Sequence, residues 1–212
     1  MIFNVITPLA RFQNVSDLVN HLEPKKIKWH VITDEDSKGT FDVKKDWIFN
    51  HICPNVGANF WERCHNSINW FIENKIDSDD ENYYCVMNDD DGYEDDFFTK
   101  LTNSINNSIV RGNSNDLIIC SMMRGNNIPS DAIPVRRHPT YTLYAHPSNM
   151  QVGGVGLEQF IAKGKILKKH KIPLTTCGDG ELIQKLTSEY DVLYLPELYV
   201  RFNYFEPGRW NK

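Results

Sequence analysis

The residues with the clearest chemical capacity lie where an apolar run breaks into acid. Tyr83-Tyr84-Cys85-Val86-Met87 leads straight into Asn88-Asp89-Asp90-Asp91-Gly92. The run reads as a strand, and in a parallel sheet its C-terminal end is where open α/β folds bind ligands. Asp89 and Asp91, two apart, can turn toward one side of the loop and offer oxygens to a hard divalent ion such as manganese or magnesium. Such an ion relieves the mutual repulsion of clustered carboxylates. The tripeptide D-x-D occurs three times here, at Asp34, Asp77 and Asp89, so its occurrence alone carries no weight. Only the third follows a clear apolar strand. An EF-hand loop with Gly92 as its glycine would begin at Met87 and close at Phe98, neither of which carries a carboxylate. An aspartyl-phosphatase motif would need a threonine where Tyr93 stands.

Strands must position these acids, and the chain supplies them in alternation with helices. The apolar patterning predicts strands at Ile2 to Ile6, Trp29 to Thr33, Tyr83 to Met87 and Leu117 to Met122. Helices are predicted at Val15 to Leu22, Phe60 to Ile72, Asp95 to Ile105, Leu157 to Lys169 and Glu181 to Ser188. This rhythm means crossover connections, hence an α/β class with a largely parallel sheet covered on both faces. Asn126 to Ser148 holds Pro129, Pro134, Pro139 and Pro147, so it is expected to be irregular, with short β pieces around Val135 and Tyr141 to Tyr144.

Composition bounds the partners. The 212 residues suit one ordinary domain that closes a core without staples. A net charge of −5 disfavours a nucleic-acid partner held by phosphate neutralisation. Five widely spaced cysteines without C-x-x-C argue against a disulfide framework or a zinc ribbon and suit a reducing compartment. No apolar run reaches the roughly 18 residues of a membrane span, and Met1 to Ala10 lacks the features of a signal peptide. A cytoplasmic protein is expected, and the chain could be one domain of a longer protein.

Gly57-Ala58-Asn59-Phe60-Trp61-Glu62-Arg63-Cys64-His65-Asn66, followed by the strand into Asp89-x-Asp91, resembles the nucleotide-sugar half of GT-A glycosyltransferases. Thr7-Pro8 after the first strand and Thr33-Asp34-Glu35-Asp36 after the second are also similar to that family's nucleotide pocket. The resemblance covers about residues 1 to 110. Within the family the chain is most similar to the N-terminal glycosyltransferase domain of chlorella-virus proteins that glycosylate the capsid, which would place it in the host cytoplasm. It implies a single GT-A domain over 1–212 with a mixed, mostly parallel sheet. Residues 1–110 would bind the nucleotide-sugar and residues 111–212 the acceptor. The implied reaction moves a hexose or deoxyhexose from a UDP-sugar to an acceptor glycan or glycoprotein, with manganese or magnesium at Asp89 and Asp91 bridging the diphosphate.

Further roles follow from the resemblance. Thr7 and Arg11 would touch base and phosphate, Asp34 uracil or ribose, Arg63 and Asn66 the nucleotide side, and Asp90 the ribose or sugar hydroxyls. Gly153 and Gly154 would admit the acceptor sugar close to the backbone. Asp179, at the start of a late helix, is the candidate base for the acceptor hydroxyl, or in a retaining enzyme a partner of the sugar. His138, His146 and His170 fit no metal pattern. Arg136, Arg137, Arg209 and Trp210 could close over the ligand, and Lys163 to Lys171 reads as a solvated helix face. Two other readings stand beside this one. A nucleotidyltransferase also uses paired carboxylates on a metal, and a non-catalytic glycan-binding module would use Trp61, Trp70 and Trp210.

Overall fold

A computed structural model describes residues 1–35, 41–54, 57, 59–124, 141–152 and 155–202. Its frame is a nine-stranded mixed sheet. The first four strands to be placed are β1 (Phe3–Pro8), β2 (Ile27–Asp34), β3 (Ile48–Cys53) and β4 (Tyr83–Val86). They run parallel to one another in the order β3-β2-β1-β4. The remaining strands are β5 (Gly92–Tyr93), β6 (Leu117–Arg124), β7 (Tyr141–Leu143), β8 (Phe160–Lys163) and β9 (Val192–Phe202). β8 lies antiparallel between β4 and β6; β9 is parallel to β6, while β5 and β7 close their edges antiparallel.

Helices cover both faces because the strands are apolar on both. Phe3 and Val5 of β1 point to one side, Ile6 to the other. The first side is closed by α1 (Val15–His21) and α3 (Phe97–Val110), through Leu18, Phe97, Phe98, Leu101 and Ile105. The second is closed by α2 (Phe60–Lys75), the short α4 (Gly164–Leu167) and α5 (Gly178–Glu189), through Ile68, Phe71, Ile166 and Leu182. Fully burying each such side chain contributes about 1.5–3 kcal/mol.

The predicted helix Leu157 to Lys169 is not formed. Residues Leu157–Gln159 make one 3-10 turn, Phe160–Lys163 become β8, and only Gly164–Leu167 are helical. Helix-forming residue types yield here to burial, since Phe160, Ile161 and Ala162 fill the gap between β4 and β6. Of the lysines expected to form a solvated helix face, Lys169 and Lys171 are exposed, but Lys163, Lys165 and Lys168 are anchors. Lys163 and Lys165 pair with Glu81 and Asp116, and Lys168 donates to the Ile72 and Glu73 carbonyls. β3 and β9 were not expected. β9 admits Pro196 because its pairing with β6 breaks register between Cys120 and Ser121. The Pro196 carbonyl there accepts from the Ser121 hydroxyl at 2.9 Å. The β piece expected near Val135 lies outside the described residues, and the one near Tyr141 is β7.

Candidate functional site

The ends of β1 and β4 come together because the two strands pair in register from Phe3 opposite Tyr83 to Ile6 opposite Val86. The acidic turn after β4 therefore meets the loop after β1. Asp89 Oδ2 accepts from the Ala10 and Arg11 backbone N–H groups at 2.7 and 2.5 Å, and Asp89 Oδ1 accepts from Arg11 Nη1. Asp90 Oδ1 lies 3.3 Å from the same guanidinium nitrogen. The Asp89 carbonyl accepts from Asn14 Nδ2 at 2.9 Å, tying the turn to α1 as well. Asp91 is fully buried and its Oδ2 accepts from Asn88 Nδ2 at 2.9 Å.

A cavity opens beside this turn. Arg11, Asn88, Asp89 and Asp90 form one wall; Cys64, His65 and Ile68 of α2 form another. The opposite side is made by Leu157, Glu158, Thr176 and Asp179, with Phe202 at the end of β9. Among its described lining residues, four carboxylates (Asp89, Asp90, Glu158, Asp179) face one guanidinium. Burial pushes the Asp179 carboxyl above the usual carboxylate range, although its Oδ1 accepts from the Gly180 N–H at 2.8 Å. Burial also lowers His65 and pushes the Cys64 thiol up to about 12, so the imidazole is neutral and the thiol protonated. The His65 ring donates to the Pro173 carbonyl, while its Nδ1 has no hydrogen-bond partner. The proton therefore sits on Nε2, and Nδ1 is a buried acceptor with no partner.

A second group lies at the end of β2. Arg63 Nε donates to Asp34 Oδ2 at 2.9 Å, and Nη2 reaches the same oxygen. The glycine at 57 has a steric basis, because a Cβ there would lie 2.7 Å from Arg63 N and Cγ. Asn59 caps α2 by accepting from Glu62 N at 3.0 Å, which fixes where Arg63 emerges.

The structure thus gathers Arg11, Asp89, Asp90 and Asp179 around one cavity and sets Asp34 with Arg63 at the neighbouring strand end. Asn66 is half-buried on α2 and does not line the cavity. The Thr7 side chain faces the core, its Oγ1 accepting from Trp29 Nε1 at 2.9 Å. His146 bonds Ser148, and His170 bonds Tyr190. Gly153, Gly154, Arg136, Arg137, His138, Arg209 and Trp210 lie outside the described residues, as does the side chain of Trp61. Sequence reasoning missed Glu158, His65 and Cys64. Glu158 sat in a stretch read as helix, and His65 and Cys64 became site residues only when α2 was placed against α5.

The excess of negative charge on the walls suits a cation, yet the expected ligand pair is not assembled. Among the described residues no three Asp, Glu, His or Cys side chains converge in a way that could hold a metal ion. Asp91 is absent from the cavity wall, and both oxygens of Asp89 already accept hydrogen bonds. Among the same residues no helix is long and apolar enough to cross a membrane.

No family model matches the chain, and no curated protein matches it either. Solved structures do. The chain is similar to the crystal structure of Staphylococcus aureus TarS residues 1–349, with a TM-score of 0.54 and 12% identity over 96% of this chain and 58% of that one. It is similar also to S. aureus TarS in a longer form, at TM-score 0.53 and 12% identity over 95% of this chain and 35% of that one. A third, Francisella tularensis 2-C-methyl-D-erythritol 4-phosphate cytidylyltransferase (IspD), matches at TM-score 0.43 and 10% identity over 88% and 82%. The chain spans little more than half of the shorter TarS structure and about a third of the longer. On the TarS likeness and the sheet described above, the fold is GT-A-like.

Proposed function

We propose that the chain is a glycosyltransferase that moves a hexose or deoxyhexose from a UDP-sugar to a glycan or glycoprotein acceptor. The observation that carries this reading is the cavity at the C-terminal ends of β1 and β4. It has the acidic turn and Arg11 on one wall and Asp179, held protonatable by burial, on the other. Asp34 and Arg63 would meet the base or ribose, and Arg11 the diphosphate, where a guanidinium offers paired donors to phosphate oxygens. In an inverting transfer Asp179 takes the proton of the acceptor hydroxyl as that oxygen bonds to the anomeric carbon and the bond to the UDP oxygen breaks.

Manganese or magnesium belongs to the proposal through the charge of the walls. When bound, the ion would offset the charge developing on the departing diphosphate. Of the cavity carboxylates, Asp90 would supply an oxygen to hold it, together with the donor's own phosphates. The solved structures named above, TarS and IspD, do not carry the finer resemblance to chlorella-virus capsid enzymes, so the acceptor is proposed only as a class.

Calorimetry with UDP tests the reading: binding strengthened by manganese is expected, with slow hydrolysis of UDP-sugars in the absence of acceptor. Pyrophosphate release from UTP and a sugar phosphate would favour a nucleotidyltransferase, and glycan binding without any nucleotide affinity would favour a binding module.

A further inference from the structure

The hydrogen bonds around Asp89 define its part more narrowly than its place in an acidic motif. Its Oδ2 is the focus of two successive backbone N–H groups, Ala10 at 2.7 Å and Arg11 at 2.5 Å. Adjacent N–H groups converging on one point form an anion-binding concavity. Here the anion is Asp89 itself. A cation approaching that oxygen would meet the positive ends of two N–H dipoles, and Oδ1 is engaged by the Arg11 guanidinium. With 1% exposure the carboxylate also has almost no solvent-facing surface. Its main-chain carbonyl holds the buried Asn14 side chain, so a single residue ties down the loop from Ala10 to Asn14.

We infer that Asp89 is a positioning residue and not a metal ligand: it docks the loop after β1 and holds the Arg11 guanidinium at the cavity wall, ready for the donor's diphosphate. This rests on the glycosyltransferase reading above for the identity of the ligand. Asp90 shares the guanidinium, at 3.3 Å, so Arg11 is braced from two consecutive carboxylates. Removing either the brace or the guanidinium should damage the same interaction.

The test is a double-mutant cycle on UDP affinity, measured by calorimetry with manganese, using Asp89→Asn, Arg11→Gln and the double variant. Binding of Mn2+ alone is followed in parallel by the loss of the free-ion electron paramagnetic resonance signal. Each single variant is expected to weaken UDP roughly tenfold, as for loss of a charge-assisted hydrogen bond. The double variant should be little worse than either, because coupled residues are not additive. Arg11→Lys should recover part of the loss, and Mn2+ binding should be the same in Asp89→Asn as in wild type. A tenfold or greater loss of Mn2+ affinity in Asp89→Asn, or additive losses of UDP affinity, overturns the inference while leaving the glycosyltransferase reading intact. Wild-type protein that binds no UDP with or without manganese overturns both. Should Asp89→Asn fail to fold by circular dichroism, Arg11→Gln decides alone: unchanged UDP affinity in that variant sinks the inference.

Discussion

Replacing Gly178 by alanine probes the Asp179 wall of the cavity without touching a charged group. Gly178 opens α5, one residue before Asp179, and a Cβ there would sit 1.9 Å from the Pro173 carbonyl oxygen and 3.3 Å from His65 Cε1. Among the described glycines only Gly112 has positive φ, so alanine is compatible with the backbone at 178 and the cost is one of contact. The carbonyl must retreat by about 1 Å, and overpacking of this kind costs about 1–3 kcal/mol. Alanine's better helix propensity offsets up to about 1 kcal/mol of that. The net cost is then at most about 3 kcal/mol, and at about 2–4 °C per kcal/mol for a chain of this length Tm should fall by up to about 12 °C. The same displacement moves Asp179 and the Pro173 bond that fixes His65, and a shift of about 1 Å in a reacting group can cost on the order of a hundredfold in rate. UDP affinity should stay near wild type, because Arg11, Asp34 and Arg63 sit on other elements. Thermal melts, UDP calorimetry and transfer rates are the assays. Wild-type Tm together with wild-type rate would mean that α5 does not begin against Pro173, and the placement of Asp179 in the cavity would fall with it.

Asp179→Asn should cut transfer by about 10²–10⁴ with UDP binding retained, the range for loss of a general base. Because burial raises the Asp179 carboxyl and the base must be ionised, the acid limb of the wild-type rate should rise with pH above the ordinary carboxylate range; a limb at the pKa of a free carboxylate speaks against this role. Trp29→Phe removes the donor to buried Thr7 Oγ1 and should cost about 1–3 kcal/mol in urea unfolding. His30, lowered to about 3 chiefly by burial and then by His51 and Lys28, stays neutral when folded and titrates near 6.5 when unfolded. Its contribution to stability is present above pH 6.5 and is lost as pH falls toward 3, at up to about 1.4 kcal/mol per pH unit. In His30→Gln that part of the slope should vanish; an unchanged slope refutes the assignment.

The parallel half of the fold was legible because β4 carries a continuous apolar run and β1 and β2 carry apolar runs broken by Asn4, Lys28 and His30. Asp34, Arg63 and Asp89 lay at strand or helix ends that follow from those runs. What was not legible depended on contacts distant in sequence. Phe160–Lys163 sits in a stretch whose apolar spacing reads as helix and becomes a strand where β4 and β6 leave a gap of its width. Arg11 and Asp89 are 78 positions apart, and nothing in either segment says that the carboxylate is taken by the loop. Glu158 and His65 reach the site only after that packing is complete. The hydroxyl of Thr7 is directed inward by Trp29, a partner that local pattern does not specify.

β8 comes from the later part of the chain yet lies against β4, so the seam between the two regions is interleaved and not a clean cut. A fragment stopping at residue 110 would leave Tyr83–Val86, four residues all buried in the whole protein, as a naked hydrophobic edge ready to pair with its own kind. Any chimera that exchanges the later region must therefore keep Phe160–Lys163 with the strands before residue 110. Recombination that ignores that strand should yield aggregates in place of chimeras.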